Sequence, residues 1–148
     1  MQCRELQPQE RSEKLVRELV EVWEGSVRAT HLFLQPSDIE NIKQYVPMAL
    51  KEVPRLMVAF GENEAPLGFI GLSEHKIEML FISSDCRGKG IGKQLLLQAD
   101  ARWQINEVVV NEQNPQAKGF YEHMGFSVYA RSETDEQGGP FPILFMKK

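Results

Sequence analysis

One stretch of the chain constrains its fold more than any other: FISSDCRGKGIGKQLL, residues 81–96. Its apolar start predicts the end of a strand, its glycines predict a turn, and the apolar run after them predicts a helix. Glycine lets a backbone approach a ligand closely, and a helix N-terminus offers free N–H groups at the positive end of its dipole. The stretch therefore indicates a site for phosphate groups. Its glycines and cations are Arg87, Gly88, Lys89, Gly90, Gly92 and Lys93.

Three phosphate-binding motifs compete for this loop. A Walker A loop requires Ser or Thr after its Gly-Lys pair, and Gln94 stands there; its first glycine position is Arg87. A dinucleotide fingerprint requires a third glycine where Lys93 stands. The pattern that fits is R-x-x-G-x-G, formed by Arg87, Gly90 and Gly92. By itself this short pattern also fits a glycine-rich turn with surface lysines.

Length and composition narrow the class of protein. The 148 residues, 42% of them hydrophobic and 26% charged, predict a single ordered domain over 1–148. A net charge of −4 argues against a nucleic-acid partner. Two cysteines, Cys3 and Cys86, provide neither a disulfide framework nor a zinc cluster, so no metal is expected. A polar start and the lack of a long apolar run predict a cytoplasmic protein without a membrane partner.

The periodicity of apolar residues predicts a mixed α/β architecture. Helical spacing begins after Ser12 and again at Pro36, and Pro47 is expected to kink or shorten the second helix. From residue 55 the period becomes two, as in strands. The expected strands are 2–7, 55–60, 66–73, 76–82, 105–111, 126–131 and 142–147. Further helices are expected over 91–103 and 115–125, which predicts a mixed sheet with helices on both faces.

A second motif points to a family. The run NEQNPQAKGFYEHMGF, residues 111–126, is similar to the N-x-x-A-x-x-x-Y-x-x-x-G-F run that follows the fifth strand in the GNAT superfamily of acetyl-CoA-dependent N-acetyltransferases. The matching positions are Asn114, Ala117, Tyr121, Gly125 and Phe126. The R-x-x-G-x-G loop also resembles the family's pyrophosphate loop. The resemblance runs from about residue 12 to the end and is strongest to small stand-alone bacterial members.

The resemblance implies a fold, a cofactor and its contacts. The fold is a mostly antiparallel sheet of six to seven strands whose fourth and fifth strands splay apart. The cofactor is acetyl-CoA, with its pyrophosphate on the loop and Lys93 beside it, and its pantetheine arm paired with the fourth strand. The matching residues are Leu80, Phe81, Ile82, Arg87, Gly88, Lys89, Gly90, Ile91, Gly92, Lys93, Asn114 and Tyr121. Asn114 precedes Pro115 and is equally suited to cap a helix.

The resemblance also implies that Tyr121 protonates the departing thiolate. The alternative is that Tyr121 is a core tyrosine whose ring only packs under the sheet. Some family members use a glutamate of the fourth strand as the base, but the matching position here is Lys76, so the pattern departs. Glu78 is the expected base, because strict alternation places it on the same side of the strand as Lys76. His31, His75 and ordered water are the alternatives.

The acceptor is expected to be a primary amine, on a small molecule or a protein, that attacks acetyl-CoA directly in a ternary complex. Its site is expected between the first two helices and the loop 132–141, with His31 and Phe33 in contact with it. The acidic loop residues would attract a cation or simply be solvated. They are Glu133, Asp135 and Glu136. A non-catalytic acyl-CoA sensor is the alternative function, and the chain is expected to be a monomer or a homodimer.

Overall fold

In the computed structural model, which describes residues 1–148, the first long helix forms where helical spacing predicts it. Helix α1 spans Glu13–Thr30. The Ser12 side chain accepts a hydrogen bond from the Leu15 N–H over 3.2 Å and caps the helix, as its position before the apolar run predicts. One face of α1 packs into the core through Val16, Leu19, Val20, Trp23 and Val27.

The second predicted helix is two short helices. Helix α2 spans Pro36–Lys43 and helix α3 spans Val46–Glu52. Pro47 lies in the first turn of α3, where a residue without an N–H costs no helical hydrogen bond. The chain therefore breaks before the proline, at residues 44–45, rather than bending around it.

Seven strands form one mixed sheet in the order β1-β2-β3-β4-β5-β7-β6. Their bounds are β1 Gln2–Glu5, β2 Arg55–Phe60, β3 Pro66–Ser73, β4 Lys76–Ile82, β5 Glu107–Asn111, β6 Ser127–Ser132 and β7 Ile143–Lys147. Every neighbouring pair is antiparallel except β4 and β5. The mostly antiparallel mixed sheet expected from the sequence is confirmed.

Helices cover both faces of the sheet. Helix α4, Ile91–Trp103, and helix α5, Pro115–His123, lie on one face and bury Leu95, Leu96 and Tyr121 with the inward side chains of the strands. The first three helices cover the opposite face, where Leu19 and Leu50 are fully buried. Two core clusters result, one on each side. None of the five helices combines the length and the apolar character needed to cross a membrane.

Strands β4 and β5 separate soon after they meet. They pair only at Lys76–Glu107 and Ile77–Val108, whereas β4 stays paired with β3 as far as Ile82. The edge of β4 that faces β5 is therefore without a strand partner over 78–82. This is the splay that the family resemblance implies.

A bulge interrupts β4 at Glu78. Gly71 lies opposite Met79 and Leu72 lies opposite Ile77, so Glu78 has no residue opposite it in β3. A bulge adds one residue and breaks the alternation of side chains. The bulge therefore interrupts the strict alternation from which the side of Glu78 was expected, although the Glu78 carboxylate does lie beside Lys76, 4.0 Å from its ammonium.

A buried arginine joins the start of the chain to α3. Arg11 is only 6% exposed, and its guanidinium donates hydrogen bonds to the carbonyl oxygens of Leu6, Leu50, Lys51 and Val53 over 2.7–3.1 Å. Three of these carbonyls lie at the C-terminal end of α3, where a cation is favoured. No carboxylate contributes to this contact.

Candidate active site

The glycine loop forms an open cradle of N–H groups. None of the backbone N–H groups from residue 87 to residue 93 donates a hydrogen bond within the protein. Gly88 and Gly90 both have φ +79°, a conformation that side chains with a Cβ rarely adopt. Gly90 is the N-cap of α4, so the cradle and the positive end of the helix dipole coincide.

Three cations surround the cradle without carboxylate partners. Arg87 donates to the side-chain oxygen of Gln116 in α5 over 2.8 Å, which ties the loop to the first turn of that helix. Arg87, Lys89 and Lys93 form no ion pair. Their charge therefore stays available to an anion, which is what a pyrophosphate requires.

A cavity of about 420 Å³ opens from the cradle and runs between α1, β4, α4 and α5. It brings together every residue expected to bind the cofactor except Lys89, which does not line it. Helix α1 contributes Ser26 and Thr30 to its wall, and the next residue, His31, also lines it.

A smaller cavity of about 120 Å³ occupies the gap between β4 and β5. The two cavities share His31, Asn114 and Tyr121, together with Leu80, Phe81 and Ala117. Glu78 lines the smaller cavity but not the larger one. The gap, called the slot below, therefore adjoins the cradle cavity at Tyr121.

Asn114 both caps a helix and faces the cavities. Its side-chain oxygen accepts a hydrogen bond from the Ala117 N–H over 3.2 Å, so the capping role is confirmed. Its amide nitrogen has no acceptor within the protein, yet no buried side-chain polar atom in the structure lacks a partner. That nitrogen is therefore an accessible free donor, and it belongs to a residue that lines both cavities.

Tyr121 combines a buried ring with an accessible hydroxyl. The ring packs against Phe120 and Phe126 with centroid distances of 5.1 and 5.6 Å, and the residue is 6% exposed. Its hydroxyl makes no hydrogen bond within the protein. Because no buried side-chain polar atom lacks a partner, the hydroxyl is accessible, and Tyr121 lines both cavities. Burial raises the pKa of Tyr121 well above its ordinary value, which keeps the hydroxyl protonated.

His31 stands at the meeting point of the two cavities, but Phe33 does not line either of them. Phe33 packs between His31 and Phe141, with centroid distances of 5.4 and 6.1 Å. It thus joins the turn after α1 to the loop before β7. His75 lines neither cavity, and its Nδ1 contacts the carbonyl oxygens of Trp103 and Gln104.

The carboxylates expected near the acceptor differ in whether they already have partners within the protein. Glu78 lies 4.0 Å from the Lys76 ammonium, which is itself 3.5 Å from Glu136. Asp135 accepts hydrogen bonds from the backbone N–H groups of Gln137 and Gly139 and shapes its own loop. Glu133 is 90% exposed beside Arg131. Only Glu78 of these lines a cavity.

Sequence reasoning missed two residues of the site. Thr30 bonds His31, and Gln116 holds Arg87. The adjacency of Thr30 and His31 in "THLFL" was visible, but it does not show that both side chains point to one cavity. Gln116 was hidden because its partner lies 29 residues away in the chain.

These features fit coenzyme A. Unbonded N–H groups and unpaired cations suit a pyrophosphate, and the free edge of β4 suits an extended arm that pairs like a strand. In agreement, the family model for the acetyltransferase (GNAT) domain matches residues 34–147, well over half of the chain. The chain therefore belongs to the GNAT family, and it is an acetyltransferase with acetyl-CoA as its acetyl donor.

Individual relatives narrow the class further. The chain is 43% identical over 127 residues to the peptidyl-lysine N-acetyltransferase YjaB of Escherichia coli, a match that covers 86% of each protein. The YjaB of Salmonella typhimurium is also 43% identical, over 126 residues, which are 85% of this chain and 86% of that protein. A solution structure of the Escherichia coli YjaB superposes with a TM-score of 0.85 at 39% identity and covers 99% of this chain and 95% of its own.

A more distant structure supports the fold alone. The PaiA N-acetyltransferase of Thermoplasma acidophilum, solved in complex with coenzyme A, has a TM-score of 0.72 at 24% identity. The match covers the whole of both chains.

Proposed function

We propose that this protein acetylates the side-chain amine of lysine in peptides or proteins. The observation that carries the proposal is the continuity of the site: the cradle, the Tyr121 hydroxyl and the slot adjoin one another. An acetyl donor held by the cradle and an amine at the far side of Tyr121 would meet there. The lysine acceptor is favoured over other amines because the YjaB relatives, 43% identical, are named peptidyl-lysine N-acetyltransferases.

The cofactor is bound by groups that remain free in the structure. The N–H groups of 87–93 hold the pyrophosphate, and the unpaired edge of β4 at Leu80, Phe81 and Ile82 pairs with the pantetheine arm. The Asn114 amide nitrogen donates to the arm from the side of α5. Acetyl-CoA supplies a thioester, and its carbonyl carbon is the target of the amine.

Tyr121 is the proposed acid. Its hydroxyl has no protein partner that would compete for its proton, and burial raises its pKa, so it is a neutral donor. A neutral donor assists departure of sulfur as negative charge develops there. The ring contacts with Phe120 and Phe126 fix the direction of the hydroxyl.

The reaction also requires that the acceptor amine lose a proton. A lysine amine has a pKa of about 10.4, so its deprotonation at pH 7 costs roughly 4.6 kcal/mol. The acceptor is expected to enter by the face that carries His31 and Phe33. Glu78, the base expected from the sequence, lines the slot beside this path.

The first test is binding, by calorimetric titration with acetyl-CoA of the native protein and of Gly90→Glu. The substitution forces a Cβ onto φ +79° and brings a carboxylate to the anion site, so binding should be lost. Gly138→Glu is the matched control, since Gly138 has φ +82° with equally open surroundings but lies outside the cradle. If both variants bind equally well, the cradle is not the pyrophosphate site.

The second test is acetylation of short peptides that contain one lysine, analysed by mass spectrometry. We expect an acetyl group on the lysine side chain and none on an otherwise identical peptide with arginine in place of lysine. Small amines are offered in parallel. Turnover of small amines without any turnover of the lysine peptides would refute the peptidyl-lysine proposal while leaving the acetyltransferase class intact.

A further inference from the structure

The side chain of His31 is held in one orientation by a short chain of hydrogen bonds. The Thr30 hydroxyl donates to the Ser26 carbonyl oxygen in α1 over 2.8 Å. The same hydroxyl oxygen lies 2.7 Å from Nδ1 of His31. The imidazole ring is also packed between Phe33 and Phe81, with centroid distances of 5.4 and 6.4 Å.

These contacts favour one position for the proton of the imidazole ring. A carbonyl oxygen only accepts, so the single hydroxyl proton of Thr30 is committed to Ser26. The hydroxyl oxygen must then accept from His31, which places the proton on Nδ1. In the neutral ring, Nε2 consequently carries an unshared electron pair.

That electron pair is available to a ligand. Nε2 makes no hydrogen bond within the protein, and no buried side-chain polar atom lacks a partner, so Nε2 is accessible to a ligand. His31 lines both the cradle cavity and the slot, and Tyr121 lines the same two. Burial lowers the pKa of His31, which keeps the ring neutral near pH 7. The other ionisable side chains that line these cavities are Glu78, Cys86, Arg87, Lys93, Tyr121 and His123.

We propose that His31 is the general base of the reaction, with Nε2 as the atom that accepts the proton of the amine and Thr30 as the residue that positions the ring. The proposal rests on the acetyl transfer put forward above. As the amine nitrogen bonds to the acetyl carbon, the carbon–sulfur bond breaks and its electron pair leaves on sulfur. His31 takes the proton that nitrogen loses, and Tyr121 gives its proton to sulfur.

The protons gained and lost in this step are equal, and both proton-carrying side chains line the slot. After transfer, His31 holds one extra proton and Tyr121 lacks one, and both side chains line the same cavity, so a proton returns through solvent. The timing is set by acidity: free lysine, with a pKa about 4 above that of histidine, holds its proton about 10,000-fold more tightly. His31 therefore acts as the carbon–nitrogen bond forms, when the nitrogen becomes more acidic, and the amine must enter neutral.

The ring tautomer is tested first, by nitrogen NMR of the histidine side chains in the full-length protein without any acceptor. We expect the His31 signals of an Nδ1–H tautomer, assigned by their loss in His31→Gln. Thr30→Val, which removes the hydroxyl, should redistribute the proton between the two nitrogens, and Thr30→Ser should restore it. A native ring protonated only at Nε2 would overturn the proposal, whatever the acceptor proves to be.

Kinetics test the base itself, with acetyl-CoA and a lysine peptide across pH 5.5–9. His31→Gln should lower kcat by about 100-fold or more. It should also remove the acidic limb of the pH–rate profile, the fall in kcat at low pH that reports protonation of His31. Thr30→Val should lower kcat less than His31→Gln does, and Thr30→Ser should recover it. His75→Gln, the same substitution outside the cavities, is the control and should retain kcat.

Two results would overturn the assignment. One is a His31→Gln variant that binds acetyl-CoA and retains kcat within about two-fold with an unchanged pH profile. The other is loss of the acidic limb in Glu78→Gln but not in His31→Gln, which would return the role to Glu78. A native protein that binds acetyl-CoA but leaves every lysine peptide unmodified would instead refute the proposed function, and the NMR result would still decide the ring tautomer.

Discussion

Replacement of Tyr121 by phenylalanine separates its chemical role from its packing role. The ring is buried between Phe120 and Phe126, whereas the hydroxyl has no hydrogen bond within the protein. The substitution removes one oxygen atom that faces a cavity and leaves the ring contacts in place. We therefore expect the melting temperature and the acetyl-CoA affinity to remain close to those of the native protein.

The expected loss of activity follows from the acidity of the phenol. An unperturbed phenol has a pKa of about 10 and a thiol about 8.5, so complete transfer to sulfur is unfavourable by at least about 2 kcal/mol. Burial raises the pKa of Tyr121 and makes complete transfer harder still. Positioned acids contribute about 100- to 10,000-fold, and this one belongs at the lower end, so kcat should fall by about 100-fold.

The assay is release of the coenzyme A thiol, followed with a thiol reagent and confirmed by the mass of the acetylated peptide. Tyr129→Phe is the matched control, because Tyr129 is 46% exposed on β6 and lines neither cavity. Native-like kcat in Tyr121→Phe would refute the acid role. A lower kcat together with lost acetyl-CoA binding would mean that the hydroxyl serves affinity instead.

Three further predictions concern stability and binding. Arg11→Met should lower the free energy of unfolding by about 3 kcal/mol, because four carbonyl oxygens lose a charged donor. The melting temperature should fall by roughly 6–12 °C. An unchanged melting temperature would contradict this prediction. Asn114→Asp should keep the helix cap but weaken acetyl-CoA binding, measured by calorimetry. Asn114→Ala should lose the cap, worth about 1 kcal/mol, and weaken binding as well. Equal acetyl-CoA affinity in Asn114→Asp and the native protein would leave capping as the only role of Asn114. Burial lowers the pKa of His31 below its unfolded value of about 6.5, so its contribution to stability is complete above that pH and is lost as pH falls through the folded pKa. Thermal melts from pH 7.5 to pH 5 should therefore show a smaller loss in His31→Gln than in the native protein, and parallel curves would exclude the linkage.

Local patterns were sufficient to place most of the elements. Helical spacing after Ser12 and alternation from residue 55 located α1 and the central strands, because both signals depend on neighbours a few residues apart. The split between α2 and α3 was not foreseen. A proline is tolerated in a first helical turn, so Pro47 marks the start of α3 rather than a kink inside one helix.

The site was only partly accessible to the same reasoning. The cradle was predictable since its glycines and cations are contiguous in the chain. The bulge at Glu78 was not, because register depends on which residues of β3 lie opposite β4. The direction of His31 was not predictable either, since it follows from a helical carbonyl, a hydroxyl and two aromatic rings from separate segments.

The sequence by itself determined the class of the protein: a glycine loop at a helix start and a second motif with Asn114 and Tyr121 lie within short stretches and carry their chemistry locally. The tertiary structure alone decided how these pieces meet. Because β4 and β5 pair at only two positions and then separate, a slot opens beside Tyr121, and the end of α1 brings His31 to it. Strand pairing and helix packing join residues far apart in the chain, and no local pattern records that geometry.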